Sequence, residues 1–563
     1  MKKKVLSLIL STAMVASLAA CGSTSADTTA TTDASDTQAA DTTSSDATAT
    51  TTTTESDTAA AADESYTLET LNIVVDGTLT ATVESGQDAF KAQWEEAVSE
   101  KLGHPITLNI NQLDHSDYSG TVSRLLTTGA PGDPDYPDAL IMSATMLRQY
   151  QTTGLLWDMA DAYANAEFQS RVTLPSVNEN MKDSEGHLYG FAPTYGNGCV
   201  TYVKQSWLDA AGMKIEDIKT FDDYYAMLKA FSEKESGTYG VIAAGYGKLD
   251  EAPYINYMPE FWQGAYPSFY QKDGVWVDGF TEQATIDALA RLAQGYADGV
   301  IDPDTEEAGT KQAREKFFSN DQSTSEGVFT YWAGTWLRTL TTNMEKQEVD
   351  NELGDDRLVQ LAPIQEIKDT WGGYINREAP VWVITDDQDG SNAREQAIFD
   401  ALLETMLDGD RVQTLWTYGA EDVHWSVKAE SFSTNADDPE KKKDYEYADG
   451  EFHLKQSPND PNTIWKKNHL DAVLVIAPLT NGYVDNDELV QKGNKFFTEN
   501  CVDAPAAASC ATLTENEAAL VEEKTTLMKQ VVAGEMSAED AIAQYQADFG
   551  DIAQAIVDEL NAQ

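Results

Sequence analysis

Three short apolar runs decide the fold: Leu71-Asn72-Ile73-Val74-Val75, Ile106-Thr107-Leu108-Asn109-Ile110 and Ala139-Leu140-Ile141-Met142. Between the first two, Phe90, Trp94, Val98 and Leu102 recur at every fourth position and Gly103 follows. That spacing predicts an amphipathic helix with a glycine stop. Between the second and third, Val122, Leu125 and Leu126 mark another helix that ends at Gly129. Strand, helix, strand, helix, strand with short connections means parallel strands with helices on both faces of a sheet. Ligands of such sheets bind beyond the C-terminal strand ends. Here that rim carries Asp76-Gly77, Asn111 to Asp114 and Ser143-Ala144-Thr145.

Working outward, the body downstream of residue 66 is about 500 residues, above the roughly 250–300 at which a single core stops growing. Two lobes are expected, the second opening near Gly198. Thr220 with Asp223 is a near capping box for a helix whose stripe is Phe221, Tyr224, Leu228 and Phe231. Further helices are expected over 282–299 and 311–318, and two over 513–561 separated near Gly534. Ala472 to Leu479 reads as a buried strand broken by Pro478.

Upstream, Lys2-Lys3-Lys4 precedes an apolar stretch from Val5 to Ala20, too short to span a bilayer comfortably and ending in small residues. This is an export-signal pattern. Leu18-Ala19-Ala20-Cys21 looks like a lipobox, with Cys21 as the lipidated residue. Residues 22–66 are dominated by Thr, Ser, Ala, Asp and Glu, a composition that cannot bury enough apolar surface to order itself. A flexible coil of that length reaches roughly 35 Å. The formal net charge of −56 repels nucleic acid and anionic headgroups. Of four cysteines, Cys199 is isolated, while Cys501 and Cys510 flank an Ala-rich loop and are an open candidate for a disulfide.

Six ordered stretches resemble the family 1 extracellular solute-binding lipoproteins of carbohydrate ABC importers, of the long type. They are Pro137-Asp138-Ala139-Leu140-Ile141; Gly154-Leu155-Leu156-Trp157-Asp158-Met159; His187-Leu188-Tyr189-Gly190-Phe191-Ala192-Pro193; Tyr202-Val203-Lys204 with Trp207 to Gly212 and Thr220-Phe221-Asp222-Asp223; Gly327-Val328-Phe329 with Trp332 and Trp336; and Tyr418-Gly419-Ala420-Glu421-Asp422-Val423-His424-Trp425. The resemblance implies an α/β, two-lobe periplasmic-binding-protein-like fold of type II with a hinge between lobes. It also implies a sugar ligand, ABC permease partners and a monomer tethered outside the membrane by its N-terminal lipid alone. The expected organisation is a signal peptide over 1–21, a tether over 22–66, lobe 1 over 67–192 and 365–425, and lobe 2 over 193–364 and 426–563. Some long members carry an Asp-rich calcium loop after the capped helix. Residues 234–240 lack those carboxylates, so no metal is expected there.

A sugar ring offers an apolar C–H face that indole and phenol rings cover, and a hydroxyl edge that amides, acids and Arg take. The candidate ligand-binding residues are Tyr195, Asn197, Trp262, Tyr266, Trp332, Trp336, Trp371, Arg377, His424 and Trp425. Trp332 and Trp425 stand out because the family pattern agrees with them. Structural roles compete at each: a core ring for the aromatics, a salt bridge for Arg377, a satisfied core histidine for His424. No H-E-x-x-H, G-x-S-x-G or Walker A motif occurs, and neither cofactor nor catalytic residue is expected. Asp302-Pro303-Asp304-Thr305-Glu306 lacks the later ligands of a calcium loop and reads as a solvated turn. The competing functions are a lipid-anchored glycosidase or lyase, and a binding protein for a peptide or a sensor kinase.

Overall fold

The computed structural model describes residues 66–76, 86–114, 117–133, 136–172, 175–183, 185–193, 198–234, 237–243, 258–319, 325–376, 379–457, 460–465, 488–506 and 508–562. The signal, Cys21, the tether before Tyr66 and the expected strand over 472–479 lie outside them.

In chain order the principal elements begin with β1 (Thr70–Asp76), α1 (Gln87–Leu102), β2 (Thr107–Leu113), α2 (Tyr118–Thr128), β3 (Ala139–Met142) and α3 (Ala144–Tyr150). Next come β4 (Cys199–Lys204), α4 (Phe221–Ser232), β5 (Tyr239–Ile242), α5 (Pro259–Trp262), α6 (Gln283–Ala297), α7 (Thr310–Phe317), β6 (Glu326–Trp332), α8 (Trp336–Lys346), β7 (Leu358–Leu361) and β8 (Tyr374–Ile375). Then follow β9 (Val381–Ile384), α9 (Ala393–Phe399), α10 (Arg411–Tyr418), β10 (Glu430–Thr434), β11 (Lys443–Tyr447), α11 (Glu488–Asn500), β12 (Cys501–Val502), α12 (Ala511–Val532) and α13 (Ala538–Ala562).

The three apolar runs pair as expected. β1 lies parallel to both β2 and β3, and β9 closes the edge antiparallel to β3 with Ile384 opposite Ala139, giving the order β9-β3-β1-β2. β3 is buried along its whole length, which is why it reads as a continuous apolar run rather than an alternation. On α1, Phe90, Trp94, Ala97 and Val98 face the core, and Gly103 at φ 75° caps the end with its amide on the Ser99 carbonyl. These residues share one apolar cluster with Phe399, Leu402 and Trp416 from the returning segment.

The second sheet has the order β5-β6-β4-β7, with β4 antiparallel to β6 and β7. The capping box on α4 is complete: Thr220 Oγ1 accepts from the Asp223 amide, and Asp223 accepts from the Thr220 amide. The second apolar cluster gathers around this sheet. It is sealed by α12 and α13, which Gly534 and its neighbours separate. Lys524 of α12 is buried there, its Nζ 3.3 Å from Asp278 and 3.1 Å from the Pro267 carbonyl, and Tyr545 of α13 donates to the same Asp278 at 2.8 Å. Burial lowers the Lys524 pKa, and the Asp278 charge opposes that shift.

Two separate cores mean two lobes. The return to the first lobe falls later than residue 365, because Ile367, Tyr374 and Ile375 pack in the second core. β8 also pairs with β12 there, Tyr374 opposite Cys501. Residues 424–457 and 460–465 form a small module beside the first lobe, with the His424 ring against Trp465 at 4.4 Å. Its β10–β11 hairpin reaches the end of α8 and the turn after it in the second lobe, through Lys443–Glu345 and Lys441–Glu348 ion pairs, each 2.9 Å.

The open question of a Cys501–Cys510 disulfide resolves to free thiols: pairing with β8 fixes Cys501, while Cys510 caps α12, its Sγ accepting the Leu513 amide at 3.4 Å. One expectation is corrected. Asp302 is buried rather than solvated, since Lys316 reaches its carboxylate at 2.6 Å. No helix among the described residues is long and apolar enough to cross a membrane.

Candidate functional site

The two sheets meet at their strand-exit edges, and the chain crossings fix this. Phe191, at the end of the first stretch, bridges to Trp382 in β9, and Gly198 bridges to Asn376 just before the chain returns. Val381 at the start of β9 lies opposite Met142, the last residue of β3. Both crossings therefore leave the first lobe at the edge that carries the C-terminal ends of β1 to β3. They enter the second lobe beside Cys199, which pairs with Trp332 at the end of β6. Asp76, Leu113 and Met142 thus end on one rim and Trp332 on the other. The lobes also touch beside this line, where Ser176 donates to Asp503 at 2.8 Å and Gln151 to Ser509 at 3.3 Å.

Trp332 is partly exposed on this edge. Its backbone is held by the ladder to Cys199 and by the Tyr202 hydroxyl, which donates to its carbonyl at 2.7 Å. Trp336, also partly exposed, opens α8 directly after β6 and meets Tyr331 edge-on at 5.0 Å. Arg314 of α7 lies over both rings, 5.4 Å from Tyr331 and 5.9 Å from Trp336, and donates to the Tyr331 hydroxyl at 3.1 Å. A cation against aromatic faces fixes ring orientation as well as adding attraction. Arg314 was not among the expected site residues, because nothing local in 311–318 says which rings it meets.

Beneath this rim lies a buried polar cluster that the sequence also did not indicate. Glu260 of α5 is fully buried, and its Oε1 accepts from Thr201 at 2.7 Å and from Tyr374 at 2.8 Å. Its Oε2 has no donor among the described residues. Burial pushes the Glu260 carboxyl above its ordinary range, and the two hydroxyls oppose that shift. On the first lobe, Tyr118 donates to the Ile141 carbonyl at 2.8 Å, its pKa raised by burial and by the Asp76 charge.

The other expected residues divide by burial. Trp262 is in the second core, 1% exposed. Tyr266 is buried and packs with Tyr270 and Trp371 at 5.4 and 5.9 Å, and Trp371, partly exposed, donates its indole N–H to the Gln263 carbonyl at 3.0 Å. His424 is buried, with its Nδ1 accepting from the Ala420 amide at 2.7 Å. Trp425 is buried, donating to the Gly419 carbonyl at 2.8 Å and lying against Phe452 at 5.4 Å. Tyr195, Asn197 and Arg377 lie outside the described residues, in the stretches between 193 and 198 and between 376 and 379.

No family model matches the sequence. One curated relative, Lipoprotein LipO of Bacillus subtilis, is 23% identical over 211 residues, 35% of this chain. The match spans 39% of that relative's length. Among solved structures, a putative oligosaccharide periplasmic-binding protein from Synechococcus sp. MITs9220 in complex with zinc superposes with a TM-score of 0.55 at 15% identity, covering 86% of this chain and 100% of that one. The N-glycan transport solute binding protein of Streptococcus pneumoniae gives 0.55 at 14% identity, covering 88% and 98%. The chain has the two-lobe α/β fold of these binding proteins. The order β2-β1-β3 followed by an antiparallel return strand is the type II arrangement expected from the sequence.

Proposed function

We propose that this protein is an extracytoplasmic solute-binding protein, held at the membrane by lipid on Cys21, that captures an oligosaccharide for an ABC importer. The observation that carries the reading is the pair of partly exposed indoles, Trp332 and Trp336, at the strand-exit edge of one sheet. The rim of the other sheet lies across the chain crossings. The fold neighbours, an oligosaccharide-binding and an N-glycan-transport protein, support the same cargo class, and the lipoprotein relative supports the anchor.

The chemistry is capture. A sugar laid against Trp332 and Trp336 buries its C–H face on indole while polar groups of the first-lobe rim take its hydroxyls. Asp76 and Asp114 are acids of that rim. Tyr195, Asn197 and Arg377, in the crossing stretches, are the proposed polar and aromatic partners. A ligand that touches both lobes gains contacts only when they approach, so it favours the closed arrangement. A permease that reads the closed arrangement then accepts loaded protein in preference to empty protein.

A thermal-shift screen of the purified body against neutral oligosaccharides, acidic oligosaccharides and peptides tests the reading. A saturable rise with one sugar class, and unchanged sugar after prolonged incubation, is expected. A rise with peptides alone would transfer the site to another cargo. Chain-shortened sugar products would make the protein a glycosidase or lyase.

A further inference from the structure

On the opposite side of the first lobe, the β9–α9 corner gathers three carboxylates. Asp386, Asp387 and Glu395 each offer an oxygen lying within 4.8 Å of the others. β9 runs antiparallel to β3 with Ile384 opposite Ala139, so this corner sits at the N-terminal end of β3, away from the crossing edge. Glu395 in the first turn of α9 is only 1% exposed. Its Oε1 is occupied by the Arg394 guanidinium at 2.9 Å and by the Asp387 amide at 3.2 Å. Its Oε2 is buried and meets no donor among the described residues. A buried carboxylate oxygen left without a donor is costly unless a cation or proton meets it.

The local charge points the same way. Arg394 is shared, its second nitrogen reaching Asp138 at 2.6 Å. The one guanidinium thus divides between Asp138 and Glu395, and neither Asp386 nor Asp387 pairs with it among the described residues. Asp386 and Asp387 make no ion pair among the described residues, and each turns one oxygen to a loop amide, Gln388 at 2.7 Å and Asp389 at 3.1 Å. Both are partly exposed, which leaves room for water ligands.

We infer that the Asp386–Asp387–Glu395 corner is a calcium site that fastens the β9–α9 turn to the first lobe. The spacing suits the cation: three oxygens within 4.8 Å of one another need only a small inward adjustment to meet one ion at the roughly 2.3–2.6 Å of calcium–oxygen bonds. The donors are all hard carboxylates, with neither imidazole nor thiolate, so zinc and copper are the poorer match. Three protein ligands and water place the affinity near the roughly 10⁻⁴–10⁻³ M of extracellular calcium modules. The sequence concealed the site because two ligands are adjacent and the third arrives eight positions later across a turn.

Sensitised terbium emission and calcium-dependent melting test the inference on the full protein stripped with EDTA. Trp157 donates to Asn392 of the same loop at 3.2 Å and is the antenna. Saturable terbium emission that calcium displaces, and a saturable rise in Tm with calcium, are expected. Both should be lost in Asp386→Asn, a partly exposed change that leaves the fold intact, and in Glu395→Gln. Trp157→Phe should lose the emission but keep the calcium-dependent rise in Tm. The same rise in wild type and Asp386→Asn would assign the binding to the general acidic surface and overturn the site. A response to magnesium or zinc but not to calcium would overturn the cation. No response to any of them would leave Glu395 holding a proton in place of a metal.

Discussion

Replacing Trp332 by alanine separates ligand contact from folding. The backbone at this position keeps its ladder to Cys199 and the bond from the Tyr202 hydroxyl, because neither uses the side chain. The indole is partly exposed, and it meets Tyr331 in a tilted arrangement at a centroid distance of 6.2 Å. Covering about 70 Å² of indole face with sugar contributes about 1.8 kcal/mol at roughly 25 cal/mol per Å², which is about twentyfold in affinity. Trp262 is the internal contrast: it is 1% exposed, and a tryptophan emptied from a core costs about 3–5 kcal/mol in stability. Calorimetry with the sugar that gives the largest thermal shift should show Trp332→Ala binding about twentyfold more weakly with a nearly unchanged Tm. Trp262→Ala should lose Tm first. Equal affinity in wild type and Trp332→Ala would remove this ring from the ligand. A Tm loss as large as that of Trp262→Ala would refute the claim that the ring faces the rim.

Glu260 sets a pH dependence. Its folded pKa lies above the ordinary 4.5, so between that value and its folded pKa the folded protein holds a proton that the unfolded chain has released. Its contribution to stability therefore falls as pH rises through that window. Glu260→Gln should flatten the decline in Tm as pH rises above about 4.5, and an unaltered Tm–pH profile would show that Glu260 is not responsible. At Gly86 an added Cβ would stand 2.4 Å from His424 Cε1, and that ring is fixed by Ala420 and Trp465. Gly86→Ala should cost about 1–3 kcal/mol by overpacking, read in urea unfolding. Thr220→Ala removes the capping box on α4 and should cost about 1 kcal/mol, while Thr220→Ser restores most of it.

What was legible in the sequence was local. The spacing of Phe90, Trp94 and Val98, the unbroken apolar run at 139–142 and the Thr220–Asp223 box each state a backbone preference within a few residues, and each is realised. The site was legible only in part. Trp262 and Trp332 are the same residue type in similarly aromatic settings, yet one lies in a core and the other on an edge. That outcome is set by contacts between segments far apart in the chain. The same holds for Arg314 over Trp336, for Glu260 beneath Thr201, and for Cys501, whose neighbour is Tyr374 rather than Cys510. Propensity and periodicity carry no term for such pairings.

The pairing of β9 with β3 also bears on biogenesis. The sheet begun at Thr70 receives its last strand only at Val381, after all four strands of the other lobe's main sheet have been synthesised. That other lobe in turn waits for Lys524 and Tyr545 to meet Asp278. Each half is therefore completed by a strand or helix that the ribosome delivers late. Such interleaving favours slow, non-local folding, a property compatible with the export proposed above.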